Sequence, residues 1–482
     1  MGIRRALDYI LEPLEGVKRE TRRLGQLRDR PVVVSVDALR SHAYVVGGTG
    51  TGKSRLLRVL IEQDIAAGHG VCLIDPHGDL CDALIRYLAT LPASHPARTR
   101  TVLVDPTAPD WAVGFNPLDI PHGDDIYPHV LELLAVFEKL WGDSWGARME
   151  DLMRNSFITL AEHGLTLLEV PRLLTDDAFR AQLVAGLRSP EARTYWERRF
   201  GALPARTRAE WIESTLNKVS TFITDPWIRD MVGQAHSTVD LRQWMDDGVI
   251  ALVDLAKGRL KRNSDLVGAL FVAKIQEAAL SRVDLPEKDR RPYRLVVDEF
   301  QNYATRSFEE ILSEARKYGL CLVMANQTLT QLERTLLASV LGNCQVQISF
   351  RCSRDDAEKL ARQAFRATGK QIKFQLKARE LFSTDPRSNP VFIPVAEEME
   401  GYINFLLDLA PREALLNVRG EGSPVPFRTA DAPDRATPPE MQALRTRLLA
   451  RAARPRAEVR LEIAQRTANE TREPEENYWT LQ

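Results

Sequence analysis

Residues 43–54 read Ala43-Tyr44-Val45-Val46-Gly47-Gly48-Thr49-Gly50-Thr51-Gly52-Lys53-Ser54. Four apolar residues make a short strand, a glycine-rich loop follows, and Arg55–Ala67 continues with helical periodicity. The loop matches GxxxxGK[ST]. In that pattern glycines let successive backbone N–H groups converge on phosphate oxygens at a helix N-terminus, where the dipole favours anions. Gly47, Gly48, Thr49, Gly50, Thr51 and Gly52 are the expected cradle. Lys53 is expected to reach the β- and γ-phosphates, and Ser54 to ligate Mg²⁺.

Working outward, further apolar runs of four to six residues occur at Val71–Asp75, Thr101–Asp105, Val249–Asp254, Arg294–Asp298, Leu320–Ala325 and Gln345–Phe350. They are continuous rather than alternating, which marks strands buried on both faces of a parallel sheet. Helical patterns between them make the class α/β. Four runs end in Asp, at 75, 105, 254 and 298. Ligands bind at the carboxyl ends of such strands. A terminal Asp is equally a cap for the next helix or turn.

The run Arg294-Leu-Val-Val-Asp298-Glu299 supplies the second half of a nucleotide site. Asp298 is expected in the Mg²⁺ shell and Glu299 as general base toward a water. The acid pair favours ATP hydrolysis over a GTP switch, and Asn217-Lys218 lacks the guanine-reading continuation. Leu320–Ala325 leads into Asn326-Gln327, an amide placed to sense a γ-phosphate; a plain strand-terminating turn is the alternative. Phe308–Tyr318 reads as a helix with Arg316 in its last turn. There an Arg either complements the helix dipole or acts as a finger toward a neighbouring subunit.

The 482 residues are 44% apolar and 27% charged, enough for a sizeable core, with a net charge of -1. That balance argues against a protein that coats nucleic acid through its whole surface. No apolar stretch is long enough to span a bilayer. Five cysteines without a CxxC pair fit a reduced, cytoplasmic protein. Residues 1–40 read as a helical arm. Residues 120–234 are rich in helical patterns and hold five of the eight Trp, so they read as an all-helical insertion between two parts of one core, 41–119 and 235–428. From 429 to 482 the chain reads as a helix with a charged, mobile tail.

Together the P-loop, Asp75-Pro-His-Gly-Asp79, Asp298-Glu299-Phe300-Gln301-Asn302 and Glu314–Leu320 leading into Gln327 resemble the FtsK/HerA superfamily. The chain is most similar to the TraD/TraG-like coupling ATPases of conjugation and type IV secretion. The resemblance covers roughly Ser41 to Arg428. It implies a RecA-like P-loop core with a mostly parallel sheet, interrupted by an all-helical domain. It implies ATP and Mg²⁺ as cofactors, Arg316 as a trans finger with Arg351 in reserve, and Asp75, His77 and Asp79 near the nucleotide edge.

The same resemblance implies a homo-hexameric DNA translocase, with a relaxase, nuclease or secretion-channel component as further partner. Only about 40 residues precede the P-loop, so neither the transmembrane helices of coupling proteins nor an N-terminal barrel of the HerA kind is expected. With a near-neutral chain, sequence-independent DNA contact must be local. The first candidate is Lys257, Arg259, Lys261 and Arg262 after a strand; the second is the basic stretch Arg351–Arg379. Two alternatives stay open: HerA-like DNA processing with a nuclease, and an ATP-dependent cargo adaptor without motor activity.

Overall fold

In the computed structural model the described residues are 20–121, 124–305, 308–365, 372–376, 388–432 and 437–469. The strands in chain order are β1 (Thr21–Leu27), β2 (Arg30–Ser35), β3 (Ala43–Val46), β4 (Gly70–Asp75), β5 (Thr101–Val104), β6 (Trp111–Ala112), β7 (Ile250–Asp254) and β8 (Tyr293–Val297). They continue as β9 (Leu320–Asn326), β10 (Val346–Phe350), β11 (Ile372–Leu376), β12 (Ser388–Phe392), β13 (Glu413–Val418), β14 (Glu421–Thr429) and β15 (Arg454–Pro455). Seven of these carry the apolar runs of the sequence, which all become strands β3, β4, β5, β7, β8, β9 and β10. Every residue of the seven is buried, as continuous apolar runs require.

The chain divides into two compact units. The first comprises Met1–His69, Pro292–Gln301 and Glu309–Asp434. Its strand order is β2-β1-β14-β13-β10-β3-β9-β8. β10, β3, β9 and β8 run parallel. β10, β13, β14, β1 and β2 pair antiparallel in succession. The sheet is therefore parallel where the P-loop strand lies and antiparallel at the wing.

That wing corrects the expected helical arm over residues 20–40. Residues 21–35 form a hairpin, and only Val36–Arg40 is helical; residues 1–19 lie outside the described residues. β1 alternates exposed Thr21 and Arg23 with buried Arg22 and Leu24, the period of a half-covered strand. Of its two charges, Arg23 lies on the solvent face and Arg22 is buried against Asp64.

The second unit comprises Gly70–Arg291, Asn302–Phe308 and Arg435–Gln482. It holds the parallel set β4-β7-β5 and the short antiparallel pair β6–β15. Residues 126–232 are helical in succession, from Ile126–Trp141 to Pro226–Val232. Phe137, Phe157, Leu152, Leu160, Phe200 and Phe222 are buried among these helices. Each buried side chain of this size contributes about 2 kcal/mol from burial alone. Helix Ile126–Trp141 packs on helix Arg262–Leu280, where His129 Nδ1 lies 2.6 Å from Glu277 Oε2.

The expected mobile tail is also corrected as far as residue 469. Pro438–Leu449 and Arg456–Asn469 are helices that bury Leu444, Leu448, Leu449, Val459 and Ile463. Arg456 is buried, stacks over Trp227 at 4.4 Å and pairs with Asp230. Arg456 is thus an internal anchor rather than part of a solvated run, whereas Arg447 and Arg451 are exposed. Residues 470–482 lie outside the described residues.

Candidate functional site

The site in the first unit begins where β3 ends. Gly47 is required by crowding and Gly52 chiefly by its backbone conformation. A Cβ on Gly47 would sit 2.5 Å from Phe350 Cβ, and one on Gly52 would lie 3.2 Å from Arg412 Cα. Gly52 also has φ 116° and precedes helix Lys53–Ala66 with no side-chain cap. The first N–H groups of that helix therefore stay open toward the loop. Gly48 N–H donates to the Arg351 carbonyl at 2.9 Å, and Arg412 N–H donates to the Thr51 carbonyl at 2.7 Å. The loop is thus pinned by main chain on two sides.

Lys53 is buried and donates from Nζ to the Gly47 carbonyl at 2.6 Å and the Gly48 carbonyl at 3.2 Å. Burial lowers its pKa, while Asp298 and Glu299 oppose that shift. The ammonium is held within the cradle it is expected to serve. Ser54 Oγ donates to Asp298 Oδ2 at 3.4 Å. A hydroxyl and a carboxylate oxygen converging in this way suit a hard cation such as Mg²⁺. Among the described residues no group of three or more His, Cys, Asp or Glu gathers as a metal site.

Asp298 and Glu299 follow β8 and both are buried. Glu299 has φ 50°, a left-handed conformation uncommon for a non-glycine residue. Its two carboxylate oxygens accept from two amides. Gln327 Nε2 donates to Oε1 at 2.8 Å, and Gln301 Nε2 donates to Oε2 at 2.6 Å. Thr49 of the loop donates from Oγ1 to Gln327 Oε1 at 3.3 Å. Gln327 therefore bridges the loop to the acid. It is aimed by β9, whose Asn326 accepts from the Tyr44 hydroxyl at 2.6 Å on neighbouring β3.

The structure brings Lys53, Ser54, Thr49, Asp298, Glu299 and Gln327 together. It does not bring Arg316 to them. Arg316 is exposed in the single turn Ala315–Tyr318 ahead of β9, whereas Gln327 follows the end of that strand. Seven residues of strand separate them, roughly 20 Å at strand rise. Near Arg316, buried His42 accepts from Leu322 N–H at 3.1 Å. Its pKa is pushed down to about 4, by burial first and the Arg316 charge second. Arg351 gives the loop its carbonyl and keeps its side chain exposed.

In the second unit, Asp75 spends both carboxylate oxygens as a cap. Oδ1 accepts from His77 N–H at 3.0 Å, and Oδ2 from Leu80 and Cys81 N–H at 2.9 Å each. That accounts for the acid without a ligand; His77 and Asp79 are exposed on the same turn. Asp105 and Asp254 also accept from turn N–H groups, of Thr107 and Ala256. Both then meet Arg445, at 2.8 and 3.2 Å, and Asp82 joins at 2.6 Å. Reading the sequence missed Arg445. The available signal was five arginines and no acid in Met441–Arg456, against several Asp at strand ends.

The expected DNA loop is a short helix, Lys257–Leu260, rather than irregular chain. Lys257 pairs with Asp265 at 3.2 Å, and Arg259 donates to the Thr107 carbonyl at 3.2 Å. Both are thereby partly committed. Lys261 and Arg262 are exposed, and Lys261 has φ 52°. Of the second basic stretch, residues 366–371 and 377–379 lie outside the described residues.

Comparison with known proteins bears on this geometry. Residues 22–140 match the family model of the central domain of helicase HerA. Residues 292–371 match that of the TraM recognition site of TraD and TraG. The conjugative coupling protein TrwB, as TrwBdeltaN70, superposes with a TM-score of 0.57 at 18% identity, covering 88% of this chain and 91% of that one. The chain has the coupling-protein fold. TrwB in complex with a non-hydrolysable ATP analogue gives a TM-score of 0.55 at 18% identity, over 88% and 92% of the two chains. VirB4 of Thermoanaerobacter pseudethanolicus gives 0.54 at 15%, over 89% and 99%. No curated protein matches in sequence. The coupling-protein fold, a P-loop ATPase fold with a mostly parallel sheet, and the resemblance to the FtsK/HerA and TraD/TraG-like proteins are thus borne out. No helix among the described residues is long and apolar enough to cross a membrane.

Proposed function

We propose that this chain hydrolyses ATP with Mg²⁺ and uses the energy to move DNA, as a homo-hexamer of the coupling-protein type. The observation that carries the proposal is the linkage of Thr49, Gln327 and Glu299 across the loop and two strand ends. Such a link lets a phosphate on the loop be felt at the acid. TrwB structures contain ATP-analogue, GTP-analogue, and ADP with Mg²⁺, which supports nucleotide binding here.

The residues fit Mg-ATP. Loop N–H groups and the open helix N-terminus take phosphate oxygens. Lys53 leaves the Gly47 and Gly48 carbonyls for the phosphates, exchanging neutral acceptors for charged ones. Ser54 and Asp298 would hold Mg²⁺, which supplies charge neutralisation when bound. Glu299 accepts the proton of the attacking water, and Gln327 orients that water. Arg316, too distant to act on its own cradle, would serve that of the next subunit, as a ring requires. The match to the TraM-recognition model spans Asp298, Glu299 and Gln327, so it supports the ATPase strands as much as a partner surface.

The test is Mg²⁺-dependent ATPase with and without DNA. Wild type is expected to be active and DNA-stimulated. Lys53→Ala and Glu299→Gln are expected to lose about 10²- to 10³-fold in turnover. Absence of Mg²⁺-dependent turnover in the wild type would sink the proposal. The HerA match over 22–140 favours one second reading, DNA processing with a nuclease. Co-purification of a nuclease with the tagged chain would select it.

A further inference from the structure

We propose that Gln301 is the positioning residue that keeps Glu299 aimed during hydrolysis. The proposal rests on the ATPase reading of the site. Glu299 is held by two amides that differ in what else they touch. Gln327 is bound at its other end to Thr49 of the phosphate loop, so arriving nucleotide competes for it. Gln301 is two residues beyond Glu299, in the single turn Phe300–Asn302, and its 2.6 Å bond to Oε2 is local. A carboxylate only accepts, so the amide nitrogen must face it.

The consequence follows from counting donors. If Gln327 turns to a γ-phosphate, Oε1 is released to take a proton from water. Oε2 stays tethered by Gln301, and the carboxylate cannot rotate away. A neutral amide does this without cancelling the charge the base needs, as an Arg or Lys partner would. The left-handed backbone of Glu299, with φ 50°, fixes the acid from the main-chain side, and strain of this kind persists only where the surroundings enforce it. Gln301 then fixes it from the side-chain side. Its assigned role is exerted through Glu299.

The experiment compares steady-state ATPase and fluorescent ATP-analogue binding for wild type, Gln301→Met and Gln301→Glu. Methionine keeps the volume and removes the donor; glutamate keeps the shape and replaces the donor with a like charge. Both are expected to lower kcat by about tenfold to a hundredfold, with KM and analogue Kd changed by less than about twofold. In a Glu299→Ala background Gln301→Met is expected to add nothing, because its effect passes through Glu299. An active wild type with unchanged kcat in both variants overturns the positioning role alone. So does a loss in which kcat, KM and melting temperature move together, which is packing. An inactive wild type overturns the ATPase reading and this role with it.

Discussion

At the scale of the residue, the loop glycines are not equivalent. Gly47 has Phe350 Cβ 2.5 Å from where its own Cβ would stand, whereas Gly50 has nothing within 4 Å. Gly47→Ala must displace β10 or the loop, and is expected to abolish binding of a fluorescent ATP analogue. Gly50→Ala meets only the cost of φ 73°, about 1 kcal/mol, and should still bind. Equal affinities for the two variants would refute the crowding argument. Asp254 offers a second test. Burial first, then Asp105 and Asp75, push its carboxyl up to about 6 from an ordinary 3.8, against the Ala256 N–H and Arg445. A raised folded-state acid destabilises the fold once ionised: the penalty is absent below about 3.8, grows through the interval and is complete above about 6. Asp254→Asn mimics the protonated form. Its melting temperature should match wild type near pH 4 and exceed it at pH 7.5. A lower melting temperature than wild type at pH 7.5 would show that the Arg445 contact outweighs burial.

Between elements, the first unit depends on one buried acid. Asp64, near the end of the P-loop helix, accepts from Arg22 Nε at 2.8 Å and pairs with Arg294 of β8. The opposite ends of that helix and strand carry Lys53, Ser54 and Asp298, so Asp64 helps fix the frame on which the site is built. Asp64→Leu leaves Arg294 buried without its carboxylate and is expected to cost about 3–5 kcal/mol. Adding Arg294→Met should recover part of that loss, because an apolar pair needs no partner. Denaturant titrations of the two variants check both, and a cost within about 1 kcal/mol for Asp64→Leu would remove the triad from the account. This pattern explains what the sequence could disclose. Val71–Asp75 and Leu320–Ala325 were legible because strands buried on both faces leave unbroken apolar runs. β1 and β14 were not: β1 carries Arg22, Arg23 and Gly25, β14 carries Pro424 and Pro426, and half-exposed strands alternate too briefly to differ from helix. In the site, Lys53, Ser54, Asp298, Glu299 and Gln327 were legible because each closes a motif. Arg445 was not, since its partners lie 191 to 363 residues away in sequence.

For the molecule as a whole, the proposed movement of DNA raises the question of how a chain of net charge -1 would hold a polyanion. Structure narrows the candidates. Arginines that looked solvent-facing in the sequence are spent internally: Arg445 on Asp82, Asp105 and Asp254, and Arg456 on Asp230. Lys257 and Arg259 are partly engaged. Lys261 and Arg262 are exposed, at the turn between helices Lys257–Leu260 and Arg262–Leu280. If this turn meets phosphates, each cation contributes about one unit to the dependence of log K on log salt, with no preference among sequences. The double variant Lys261→Glu/Arg262→Glu should therefore bind duplexes of unrelated sequence more weakly by a similar factor. Its salt slope should be shallower by about two. Binding isotherms at several salt concentrations measure both quantities. An unchanged slope would place the phosphate contacts elsewhere, with the Arg351–Arg379 stretch next in line. A slope reduced for one duplex and not another would contradict sequence-independent grip.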